Sequence, residues 1–215
     1  MRKGLGSRYW WTQVEKLKFV TEVYRWTDGT EVWLTFPTSA KEAGVNLQKL
    51  IDSLERFGNA LPMMVAGLSQ QDAAWKPSTG NWSILEIVCH LIDEEAEDFV
   101  MRLKSTLENP KSSWPSWDPT GVAVSRNYNE QNFGEKVNEF VAVRKQSLVW
   151  LRHNLEADWN QSYDHPSLGM ISAGDLLAAW TAHDQLHVRQ IGKRMFELVS
   201  RDAKPYSVSY AGPLT

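Results

Sequence analysis

A chain of 215 residues with 42% hydrophobic and 23% charged content has the composition of a globular protein long enough to bury a sizeable core. Its net charge of −3 excludes the basic face that nucleic acid would need, and no apolar run approaches the length that spans a bilayer. No apolar segment follows Arg2, Lys3 and Arg8, so the N-terminus does not read as a signal peptide; the single cysteine, Cys89, excludes an internal disulfide and fits a reducing cytoplasm.

Residues 1–45 read as an extension with strand character. Lys18–Trp26 and Thr30–Phe36 are rich in Val, Thr and aromatic residues and flank Asp28-Gly29, which is a hairpin signal. Four of the eleven Trp fall before residue 40. A second reading stands beside the hairpin. Val45 is compatible with a GTG start codon and Lys41-Glu42 with AAG-GAG, a ribosome-binding purine run, which would make residues 1–44 a misplaced start.

From Asn46 the period becomes helical, without internal repeat or low-complexity tract. The first predicted helix covers 46–67, with Leu47, Leu50, Ile51, Leu54, Phe57 and Leu61 on one face. The second opens at Ser83, with Glu86 completing a capping-box pattern, and runs to Leu107 before Asn109-Pro110. The third covers 129–155 with a stripe of Phe133, Val137, Phe140, Val141, Leu148 and Leu151. The fourth opens at Ser172, with Asp175 three residues on, and runs to Val199, leaving 201–215 as a tail.

Segment 108–128, with Trp114 and Trp117, is long for a structureless loop and needs a geometric reason. A 25-residue helix is about 37 Å long, and some 20 extended residues reach about 65 Å. A crossover of that reach suits an all-α, up-down-down-up four-helix bundle in which the second and fourth helices are antiparallel.

Three histidines stand out. His183 and His187 are four apart on a helical segment, so both imidazoles share a face. That face also carries Trp180 and Gln190 and is bordered by Leu176 and Ile191. An apolar stripe interrupted by two histidines points inward, whereas a solvent-facing pair is the competing reading. His90 lies within Ile87-Val88-Cys89-His90-Leu91-Ile92, where a core histidine bonded to the backbone is the alternative to a ligand. Three inward imidazoles on two antiparallel helices match a three-ligand divalent-metal site with an open position.

Glu94 is four residues beyond His90, and Glu97 continues the row. A carboxylate there can orient an imidazole, join a metal, or act as a catalytic base on water. The competing reading is a solvated acidic run from Asp93 to Asp98. His153, near a helix C-terminus, and His165, before Pro166, read as structural or exposed. Cys89 points away from His90 and reads as core. Trp114 and Trp117 either pack the crossover onto the bundle or wall a substrate pocket.

The segments Asn81-Trp82-Ser83-Ile84-Leu85-Glu86-Ile87-Val88-Cys89-His90-Leu91 and His183-Asp184-Gln185-Leu186-His187-Val188-Arg189-Gln190-Ile191 resemble the two motifs of the DinB-like (YfiT-like) metalloenzyme superfamily. The resemblance covers about 46–200. It implies an up-down-down-up bundle, nickel, zinc or a similar ion on His90, His183 and His187, and a homodimer. It further implies transferase or isomerase chemistry that uses a low-molecular-weight thiol, while a metal-bound water at the site would suit hydrolysis of a small-molecule substrate. A non-catalytic, stress-related metal-binding or dimerisation module is the rival expectation.

Overall fold

The computed structural model describes residues 46–114, 116 and 118–213, together with the backbone of 19–25 and 31–37. The chain divides into two compact units, Met1–Asn46 and Leu47–Thr215. In the first, strands β1 (Phe19–Arg25) and β2 (Glu31–Pro37) pair antiparallel, from Phe19 opposite Pro37 to Arg25 opposite Glu31. The intervening Asp28-Gly29 lies outside the described residues.

The second unit is a four-helix bundle. Helix α1 (Leu47–Met64) buries Ile51, Leu54, Phe57 and Leu61, the stripe its helical period predicts. A short helix α2 (Gln70–Ala73) follows, capped by Ser69. The second bundle helix is built of three pieces: α3 (Ile84–Asp93), a π-helical segment (Glu94–Phe99) and α4 (Val100–Glu108). At its start the Ser83 side chain accepts from the Glu86 amide while Glu86 accepts from the Ser83 amide, so the capping box is complete. Helix α6 (Phe133–His153) begins at the Asn132 cap, later than the spacing suggested, because Tyr128–Glu130 forms a separate 3-10 turn. Helix α7 (Ala173–Asp202) has a second complete capping box, Ser172 with Asp175.

Contacts between ends fix the directions. Ser83 and Asn129, at the starts of the second and third bundle helices, are 2.6 Å apart through their side chains, so these helices run parallel. Arg201 near the end of α7 reaches Asp72 just beyond α1, at 2.5 Å, so α1 and α7 run parallel to each other. Gln70, after α1, bonds to Phe133 and Gln131 at the start of α6, which makes α1 and α6 antiparallel. The order is up, down, down, up.

The crossover demanded by that order is only partly irregular. Asp118 caps a helix α5 (Pro119–Ser125), accepting from the Thr120 and Gly121 amides, with Pro119 at the first helical position. Trp114 stacks on Tyr163 at 4.1 Å between centroids and receives the Arg102 guanidinium at 5.1 Å. Trp117 lies outside the described residues. The segment before α7 contains a hairpin of β3 (Ser162–His165) and β4 (Gly169–Ser172). Four-residue strands are too short for alternation to register in the sequence. His165 sits in this hairpin, and its Nδ1 accepts from the Ser167 and Leu168 amides. Among the described residues, no helix is long and apolar enough to cross a membrane.

Candidate metal centre

His90 comes from α3, and His183 and His187 come from successive turns of α7. One ligand-capable nitrogen from each ring lies within 4.8 Å of the others. Ring centroids are 5.5 Å apart for His90 and His183, 4.9 Å for His90 and His187, and 4.4 Å for His183 and His187. His90 and His187 are buried and His183 is half-buried, so the cluster approaches solvent beside His183.

The ring nitrogens are poised to accept a cation. Gln190 Oε1, which can only accept, lies 2.8 Å from His187 Nδ1, so Nδ1 carries the proton and Nε2 keeps its lone pair. That Nε2 faces His183 Nε2 across 3.2 Å. His90 Nδ1 is buried without a hydrogen-bond partner among the described residues, with Glu94 Oε1 at 3.7 Å. An unsatisfied buried polar atom costs about 1–3 kcal/mol. Burial holds the imidazoles neutral: it drives His90 down to about 3, with help from His187 and His183, and His183 down to about 4. Burial lowers His187 as well, against the Gln190 hydrogen bond. Neutral, convergent and under-satisfied imidazoles fit a divalent ion.

Aromatic walls hold the cluster. Trp82 meets His90 at 4.8 Å between centroids and Phe99 meets His183 at 5.3 Å. Phe99 in turn stacks on Trp180 at 5.7 Å and an interplanar angle of 5°.

The acidic run is not a solvated face. A π turn adds a residue to the helical repeat, and Glu94, Glu95, Asp98 and Phe99 are all buried, leaving Ala96 and Glu97 outside. Glu97 therefore does not continue the row toward the site; Arg126 holds it from the crossover at 2.8 and 2.9 Å. Glu94 does stay beside His90. Nearby, the pKa of Asp98 is raised chiefly by burial, against the pull of Arg102.

Spacing did not reveal a second buried cluster. Arg144 is 2% exposed and lies between Glu95 and Asp184. Its signal was present: Val141, counted in the α6 stripe, is exposed, and Arg144 occupies the inward position between Phe140 and Leu148. A charged residue in the centre of an apolar stripe needs buried counter-charges, and the two that serve stand five residues past His90 and one past His183.

The remaining candidates lie elsewhere. Cys89 is buried on the other side of α3, its thiol pushed up to about 12 by burial, and its Sγ contacts the Tyr128 carbonyl at 3.8 Å. It lines a cavity of about 390 Å³ with Asp93, Arg126, Tyr128 and Lys136, none of them a histidine of the cluster. His153 bonds through Nδ1 to the Val149 carbonyl of its own helix at 2.7 Å.

Fold and site together define a helical bundle with a three-histidine constellation of the kind that leaves a metal an open position. The sequence profile of the DinB superfamily matches residues 53–191, and the chain belongs to that superfamily. Among solved structures, it is similar to YfiT from Bacillus subtilis, described as a probable metal-dependent hydrolase with an unusual four-helix bundle topology. The identity is 17% and the TM-score 0.64, over 75% of this chain and 90% of that one, a likeness of fold. No curated protein matches the sequence.

Proposed function

We propose that this protein is a metal-dependent enzyme acting on a small molecule, with a divalent transition metal such as nickel or zinc held by His90, His183 and His187. One observation carries the reading: three neutral imidazoles converge within 4.8 Å while the buried Nδ1 of His90 has no hydrogen-bond partner among the described residues. Such an ion supplies Lewis acidity, lowering the pKa of a water or thiol that joins it. Gln190 keeps His187 in the tautomer whose Nε2 is free, and Trp82 and Phe99 limit the access of water to the rings. Glu94 is the group placed to hold or move a proton, being buried and 3.7 Å from His90.

That carboxyl favours hydrolysis, and YfiT, of like fold, is described as a probable metal-dependent hydrolase. Transfer to a low-molecular-weight thiol is the second reading, supported by the family resemblance together with the half-buried approach beside His183. A homodimer belongs to the same reading. Elemental analysis of purified protein should find about one transition-metal ion per chain. In the cobalt-substituted protein, hydrolysis predicts that Glu94→Gln keeps the metal and abolishes turnover. Thiol transfer predicts a sulfur-to-cobalt charge-transfer band on adding thiol, unchanged by Glu94→Gln. A metal with no exchangeable position would instead mark a non-catalytic module.

A further inference from the structure

The Arg144 cluster touches all four bundle helices. From α6, its Nε donates to both Glu95 oxygens at 3.0 Å, and Nη2 pairs with Glu95 at 2.9 Å. Nη1 donates to Asp184 at 2.6 Å and to the Leu54 carbonyl of α1 at 3.0 Å, and Nη2 reaches the other Asp184 oxygen at 3.0 Å. All three guanidinium nitrogens are engaged. The rings of Phe57, Phe140 and Trp180 surround it at 5.6, 5.2 and 5.5 Å. The stem passes Gly58 so closely that a Cβ there would stand 2.8 Å from Arg144 Cγ.

Stability does not explain such a cluster, because buried ionic groups seldom outperform apolar packing of the same volume. What a guanidinium adds is direction. Apolar ridges tolerate small slides and rotations of one helix on another, whereas two bidentate carboxylate pairs fix angle and height together. Here the partners are Glu95, five residues past His90, and Asp184, adjacent to His183. Glu95 lies within the π turn and is buried, while His90 keeps its own face on α3.

We propose that Arg144 is a positioning residue for the histidine site, acting through Glu95 and Asp184 to hold α3 and α7 at the height where His183 and His187 face His90. The proposal rests on the metal-binding reading, and its test keeps the two apart. Cobalt(II) is titrated into metal-free full-length protein against a competing chelator, with the visible spectrum recorded for each variant. Two variants remove the geometry in different ways. Arg144→Lys keeps the charge but cannot make both bidentate pairs. The combined Glu95→Leu, Arg144→Met and Asp184→Leu variant removes every charge and leaves none unpaired. Each is expected to bind cobalt about 10–100-fold more weakly, the loss typical of removing an outer partner of a metal ligand, with shifted d–d bands. Cobalt binding and spectrum equal to the parent in a cooperatively folded variant would overturn the positioning role while leaving the metal site intact. If the combined variant does not fold, Arg144→Lys decides by the same two readouts. A parent protein that takes up no cobalt would overturn the metal reading and this inference with it.

Discussion

Two buried polar clusters occupy neighbouring turns of the same helices and are finished differently. Around Arg144, donors and acceptors of opposite charge meet directly: one guanidinium faces two carboxylates and a carbonyl. Around His90 the account is open, with an imidazole nitrogen lacking a hydrogen bond and two others facing across 3.2 Å. Burial acts on both clusters, raising the carboxyl pKa values of Glu95 and Asp184 and lowering those of the three histidines. In the first cluster the Arg144 charge opposes burial. In the second the three rings face one another, and a cation from solution fits. A buried polar group that is fully met holds a structure together; one left short marks where a ligand belongs.

The sharpest way to break the contrast is to open the closed cluster. Arg144→Ala strands Glu95 and Asp184 in the core and should cost about 3–5 kcal/mol, measured by urea unfolding. A loss below about 1 kcal/mol would mean that solvent already screens those carboxylates.

Closing the open cluster should have the opposite sign. Zinc at a hundred times its dissociation constant should stabilise the parent by about 2.7 kcal/mol. The same addition should leave the melting temperature of the His183→Ala/His187→Ala variant unmoved. An equal rise in both proteins would place the ion somewhere else.

Acid separates the clusters by sign. In the metal-free fold His90 stays neutral down to about pH 3 and His183 to about pH 4, below their ordinary 6.5. The unfolded chain therefore binds protons that the folded chain refuses, and stability from these rings falls as pH drops from about 6.5 toward 4. The carboxyls of Glu95, Asp98 and Asp184, raised by burial, act in the other direction. The histidine part is thus read by difference: the parent's urea midpoint should decline more steeply over this window than that of His183→Gln/His187→Gln. Parallel declines would show that the folded chain takes up the same protons.

Two smaller changes test whether the outer frame can be altered without touching either cluster. Trp114→Ala removes the stack on Tyr163 and the Arg102 contact and should cost about 1–2 kcal/mol, with cobalt affinity unchanged. Ser172→Ala removes the α7 cap and should cost about 1 kcal/mol. Additive losses in the double variant, read from unfolding midpoints, would establish that the hairpin end and the cap act independently.

Local signals were legible from residue order alone. Both capping boxes, the apolar stripe of α1 and the shared face of His183 and His187 follow from spacing, because each depends on neighbours within a turn or on the repeat of the helix. The acidic run from Asp93 to Asp98 was not legible in that way. Whether Glu95 faces water or the core depends on a π turn and on Arg144, 49 residues away, offering a counter-charge. The same holds for Val141 and Arg144, whose hydrophobicities predict the reverse of their burial. A side chain's periodicity states which residues share a face; only the packed helices state which charges that face will meet. Tertiary structure alone decided the placing of Glu95 and the crossing of Arg144 over Gly58, since each exists through partners that are distant in the chain.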